Sequence, residues 1–271
     1  MRALKLALQF LTRLPLQAGK APSPKDLGKA VGWFPLVGLL MGLVLMLLHW
    51  AMMFDATRLH DEAAALLLLV LWAWMGGSLH LDGLADTLDG LASGKSGKQM
   101  LAVMHDHASG AFGVVGLVLA LLAKFVFLDS LPNGLVWYLP LPLVAGRLTQ
   151  TLLCTTQDYA GKKNSLGSPF VSQSTDEEAW LGLVLSFGSL ILLGLGLGWG
   201  LSHWAFAQVV ATDWLSIGLA PLAMALGIAF GWWMAQAPIK RLAGLTGDVC
   251  GYASEMAELA TALLLLAGLV R

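Results

Sequence analysis

Apolar residues gather along this chain in long runs separated by short polar stretches. Runs of roughly 20 such residues, the length a helix needs to cross a hydrocarbon layer, fall near 30–53, 62–81, 111–130, 134–155, 179–200, 215–236 and 256–270. The pattern predicts an all-α polytopic membrane helix bundle with about seven transmembrane helices. The last run is short and carries Glu258, which makes six the alternative count. The opening run Leu4–Leu16 is interrupted by Lys5 and Arg13 and is too short to span. It reads as a short N-terminal interfacial helix rather than a signal peptide, because no small-residue cleavage site follows it. Repeats of 20–50 residues are not visible and no soluble domain fits between the runs, so residues 1–271 read as a single integral-membrane domain.

Composition agrees. The chain is 57% apolar and 12% charged, with a mean hydropathy of +0.73, against roughly 45–50% and about a quarter in soluble domains. A water-soluble fold is excluded, and 31 glycines suit closely packed membrane helices. A net charge of −1 leaves no footprint for nucleic acid. Cys154 and Cys250 are too few and too far apart in sequence for a disulfide framework or a zinc quartet and read as packing residues. Charge also orients the chain. Of 16 Lys and Arg, 12 lie in the N-terminal segment and the second, fourth and sixth loops, whereas only Arg58 and Arg271 fall on the opposite side. The positive-inside rule makes the N-terminus cytoplasmic. Asp82, Asp86, Asp89, Asp106, Asp158, Asp248 and Glu255 fall in or beside the same loops, so any chemistry faces the cytoplasm.

The most informative polar stretch runs from Gly76 to Gly90. Asp82, Asp86 and Asp89 stand at i, i+4 and i+7, within roughly 60° of one helical face. Three like charges beside a bilayer are costly unless a cation neutralises them. Mg²⁺ is the natural counterion, because it takes carboxylate oxygens and shares its shell with substrate phosphates. A second block, Met104–Gly113, brings Asp106 just ahead of the next span, with glycines that let backbone approach a ligand. Asp82, Asp86, Asp89 and Asp106 are the candidate metal ligands. Asp106 is the preferred general base, set apart from the metal stripe, and Asp89 is its rival.

Other residues carry two readings each. His80 is either a structural hydrogen bonder or a phosphate contact. His105 and His107, at i, i+2, share no helical face and do not suggest zinc. Lys124 and Arg147 lie inside spans, where ionisable groups usually meet a partner or a cavity; Arg147 is expected to contact phosphate. Lys162, with Lys163, is either a phosphate ligand or a topology determinant. Thr246, Gly247 and Asp248 form a turn able to offer backbone N–H groups and a carboxylate to a ligand, or a plain helix start. Glu255 and Glu258 read as solvated at the interface.

Five ordered blocks resemble the cobalamin synthases, also called adenosylcobinamide-GDP ribazoletransferases. They are Leu8–Pro15, Trp33–Gly38, HLDGLADTLDG at 80–90, MHDHASGAFG at 104–113 and Gly244–Asp248. His107 and Ser109 depart from the residues usual in the fourth block. The resemblance implies a Mg²⁺-dependent phosphotransferase of the bacterial inner membrane, whose substrates are adenosylcobinamide-GDP and α-ribazole 5′-phosphate or α-ribazole. GMP would leave and adenosylcobalamin 5′-phosphate or adenosylcobalamin would form; an oligomer is compatible with this. Two other functions compete. Asp86–Gly90 resembles the start of the CDP-alcohol phosphotransferase signature, but the Ala-Arg pair that continues it is missing. A cation-coupled transporter would place its acids near the midplane between paired broken helices, whereas these lie at a span end.

Overall fold

Helices account for nearly all regular structure in the computed structural model, which describes residues 2–16, 21–54, 60–106, 108–131, 133–161, 165, 167–203 and 214–269. In chain order they are α1 (Arg2–Leu11), α2 (Pro24–Ala30), α3 (Phe34–Phe54), α4 (Asp61–Met75), α5 (Leu79–Ala92) and α6 (Gly97–Met104). These are followed by α7 (Ala111–Ser130), α8 (Pro140–Thr156), α9 (Ser168–Ser172), α10 (Asp176–His203), α11 (Trp214–Leu242) and α12 (Gly247–Leu269). Short 3₁₀ turns, Val31–Trp33 and Asn133–Tyr138, lead into α3 and α8.

Among the described residues, five helical stretches are long and apolar enough to cross a membrane: Pro24–Met52, Ala111–Ser130, Asp176–Leu195, Gly218–Leu242 and Gly247–Gly268. The bent pair α4 and α5 makes a sixth if counted as one span. Six, the alternative count, is thus reached and seven is not, and the described helices depart from the expected runs at two places. The run at 62–81 is not one helix: Gly77 and Ser78 take left-handed φ of 63° and 59°, and α5 departs from α4 at 83°. The run at 134–155 contains a 3₁₀ turn, leaving α8 only 17 residues. The final run is longer than its apolar part suggests, because α12 begins at Gly247 and carries Asp248, Glu255 and Glu258 along its first half.

Burial sorts the helices into a centre and a jacket. Every residue of α8 from Pro140 to Thr151 is buried, against α3, α10, α11 and α12. On the outside, α7 exposes Val114, Val115, Val118, Leu119, Leu122 and Val126, and α10 exposes Trp180, Val184, Phe187, Ile191, Leu192 and Leu195. Apolar stripes of that length face lipid, not water. The N-terminal α1 is amphipathic: Leu6, Ala7 and Leu11 are buried and Lys5 is exposed.

The loops that the Lys and Arg distribution groups together do meet at one end of the bundle. Arg13 N donates to Met75 O at 3.0 Å, and the Arg241 guanidinium donates to Leu91 O at 2.9 Å. Residues 158–160 and 245 are sewn together by Leu245 N to Asp158 O at 2.8 Å and Ala160 N to Leu245 O at 2.9 Å. At a separate place, His49, Asp61, Asp129 and Ser130 line a cavity where α3 and α7 end and α4 begins.

Candidate active site

The break after Met75 decides where the acids go. Redirected by the left-handed Gly77 and Ser78, α5 lies across the start of α12 with backbone against backbone. A Cβ on Gly83 would stand 2.6 Å from the Asp248 carbonyl oxygen, and one on Gly251 would stand 3.1 Å from His80 Cα. Only glycine allows this approach. The crossing brings Asp82 and Asp86 from one helix beside Asp248 from the other: the charges of Asp82, Asp248 and Asp89 all bear on Asp86. Asp82 is exposed and Asp86 half-buried. His105 reaches the group from the end of α6, its Nε2 being 3.9 Å from Asp248 Oδ2. Thr246 starts α12 by accepting the Val249 N–H at 3.3 Å, a capping contact.

Asp89 departs from the roles expected of it. Its Oδ2 accepts the Gly110 N–H at 2.7 Å and its Oδ1 the Gly113 N–H at 2.8 Å. Both oxygens thus cap the N-terminus of α7, where unpaired N–H groups and the helix dipole favour an anion. Asp89 thereby clamps the start of α7 to α5. Asp106 is exposed and accepts the Ala108 N–H at 3.2 Å. It shares an open depression with Asp89 and Lys95, so the four predicted carboxylates divide into Asp82 with Asp86 and Asp89 with Asp106. Among the described residues, no three or more His, Cys, Asp or Glu side chains form a metal-holding group. The donor chemistry of Asp82, Asp86 and Asp248 still suits a hard cation bound together with phosphate, a mode needing only one or two protein carboxylates.

Beside this acidic crossing opens a cavity of about 330 Å³. Thr246, Gly247, Asp248, His105 and His80 line its polar part, and Phe10, Phe34 and Phe170 its apolar part. His80 and Gln150, 5% and 3% exposed, have His80 Nε2 and Gln150 Oε1 without a hydrogen-bond partner among the described residues. Cys154 and Cys250, far apart in sequence, meet here with their sulfurs 3.9 Å apart.

Arg147, expected to contact phosphate, is taken up by an ion pair inside the bundle. It is 1% exposed, with Nη1 2.6 Å from Glu258 Oε1 and 2.9 Å from Ser254 Oγ. Lys124 completes the cluster, its Nζ 2.7 Å from both Glu255 Oε2 and Glu258 Oε2 and 4.6 Å from the Trp72 ring centre. Glu255 and Glu258, expected to be solvated, are instead 3% and 1% exposed. Their i, i+3 spacing was visible; that Lys124 and Arg147 face them from two other helices was not. Lys162, Lys163 and His107 lie outside the described residues. Sequence reasoning missed Gln150 as a cavity residue altogether; a lone amide within an apolar span was the only signal.

A bent acidic helix locked onto the start of a membrane helix, with a nucleotide-sized cavity beside it, defines a membrane-embedded enzyme. The chain belongs to the cobalamin-5-phosphate synthase family, which matches residues 3–266. It is 37% identical over 268 residues to the adenosylcobinamide-GDP ribazoletransferase of Ectopseudomonas mendocina, covering 98% of each chain. Proteins of the same name from Pseudomonas putida and Acinetobacter baumannii are 36% and 31% identical, over 95% and 93% of this chain and 96% and 92% of theirs. No solved structure matches.

Proposed function

We propose that this chain is an adenosylcobinamide-GDP ribazoletransferase acting late in cobalamin biosynthesis, with its catalytic end on the cytoplasmic face of the bacterial inner membrane. The 3′-oxygen of α-ribazole 5′-phosphate, or of α-ribazole, forms a bond to the cobinamide-linked phosphorus of adenosylcobinamide-GDP. The bridging P–O bond breaks, GMP leaves and the hydroxyl proton passes to a base. The observation that carries this reading is the crossing at Gly83 and Gly251, which brings the helix of Asp82 and Asp86 against Asp248 in the wall of a cavity of about 330 Å³.

Mg²⁺ is the proposed metal, which Asp82 and Asp86 would hold together with the oxygens of the diphosphate. When bound it would neutralise the diphosphate and stabilise the leaving oxygen. The chain's own groups do the rest. The Thr246–Asp248 turn offers backbone N–H groups at the positive end of α12 to a phosphate. Asp106, exposed at this end, is the proposed proton acceptor, and His105 is its rival because it faces Asp248 directly. The test is product formation. Purified protein in liposomes, given adenosylcobinamide-GDP, α-ribazole 5′-phosphate and Mg²⁺, should release GMP and form adenosylcobalamin 5′-phosphate in equal amounts, and chelation should stop both. Hydrolysis of the diphosphate without cobalamin product would overturn the reading.

A further inference from the structure

The cavity beside the acidic crossing contains two features that no role described so far uses. One is Gln150, on the central helix α8, which is 3% exposed, lines the cavity and keeps Oε1 without a hydrogen-bond partner among the described residues. The other is an aromatic cluster: the rings of Phe10 and Phe170 lie 4.2 Å apart and inclined at 29°, with Phe34 6.1 Å from Phe10 and 6.0 Å from Phe170. A buried amide oxygen without a donor is costly and is rare in folded proteins. When it lines a cavity, a donor on a ligand relieves the cost. Aromatic walls beside it accommodate a flat ring.

We propose that this cavity is the guanine subsite, with Gln150 reading the edge of the base and the diphosphate extending past His80 toward Asp248. This deepens the proposed function and rests on it for the identity of the guanosine diphosphate donor. The chemistry of the two substrates decides between them. An N-glycosylated dimethylbenzimidazole has one ring nitrogen that accepts and no N–H that donates, so its base answers the Gln150 amide at one atom at most. Guanine presents N1–H and an exocyclic amine beside the O6 acceptor. Whichever way the Gln150 amide is turned, that edge offers it a complementary partner. A corrinoid ring is too large for about 330 Å³.

The test is nucleotide binding by the purified full-length protein in nanodiscs with Mg²⁺, using GMP, purine riboside 5′-monophosphate and α-ribazole as probes. The purine base carries acceptor nitrogens and no N–H on its edge, so GMP should bind about tenfold or more tightly, the discrimination a site gains when a mismatched base leaves its buried polar group unpaired. Gln150→Leu should abolish this preference and leave the affinity for α-ribazole unchanged. The ratio of the two nucleotide affinities is read within one preparation, so a partly unfolded variant does not mimic the result; Gln150→Met, of similar volume, should repeat it. A Gln150→Leu protein that keeps the guanine preference, or one that loses α-ribazole instead, overturns the guanine subsite while leaving the transferase reaction intact. Wild-type protein that prefers GMP over the purine nucleotide yet forms no cobalamin product overturns the reaction and keeps the subsite.

Discussion

Two clusters of charge share α12 and differ in almost every other respect. In the bundle interior, Lys124 and Arg147 face Glu255 and Glu258, and all four are at most 3% exposed. At the bundle end, Asp82, Asp86 and Asp248 come together with only His105 as a cationic neighbour among the described residues. The inner cluster balances two positive against two negative groups and joins them by short ion pairs, while Arg147 Nε keeps no hydrogen-bond partner among the described residues. The outer one is an excess of like charge beside a cavity. A balanced buried cluster holds helices together; an unbalanced one at a solvent-facing crossing is completed by something that arrives. The same residue types therefore serve architecture in one place and chemistry in the other.

Substitutions should separate the two. The largest effect is expected at the outer cluster: Asp86→Asn or Asp82→Asn should lower turnover by about a thousandfold or more, the scale of losing metal-based charge stabilisation. Thermal unfolding in detergent should be unchanged. Near-normal turnover at saturating Mg²⁺ would erase the distinction. Next is the inner cluster, where Glu258→Gln leaves Lys124 and Arg147 with one acid between them. Breaking a buried pair this way costs about 3–5 kcal/mol, read as a large fall in unfolding midpoint, with remaining folded protein still active. Asp89→Asn lies between the two classes. Losing a carboxylate cap at the start of α7 should cost about 1–2 kcal/mol, with a turnover loss far smaller than that of Asp86→Asn. The smallest effect is expected when a pair is removed together. Lys124→Met with Glu255→Gln takes one charge of each sign from the inner cluster, and stability should recover most of what either single change loses. An additive double variant would show that these charges do not act as a set.

The sequence made the outer cluster legible and hid the inner one for a physical reason. Asp82, Asp86 and Asp89 lie within two helical turns, so their common face follows from spacing alone. Glu258 meets Lys124 and Arg147 across separations of 134 and 111 residues, and periodicity does not report contacts between helices. The same limit explains Cys154 and Cys250, and Gln150. Gly76-Gly77-Ser78 was visible as a polar stretch, yet hydropathy runs through it, because a window average does not register two left-handed residues. The capping contacts of Asp89 were hidden in the same way, because its partners are backbone N–H groups 21 and 24 residues further along the chain.

That clamp has a consequence for the segment it encloses. The chain leaves α5 just after Asp89, makes the excursion through α6, and returns to the same carboxylate at Gly110. The excursion is thus a loop tied at its neck. Extra residues inside it would cost little, since doubling a closed loop adds only about 0.6 kcal/mol. Gly94 and Gly97, with left-handed φ of 68° and 54°, have open space around them. Between them lies a natural port where a reporter peptide can be spliced without disturbing the knot.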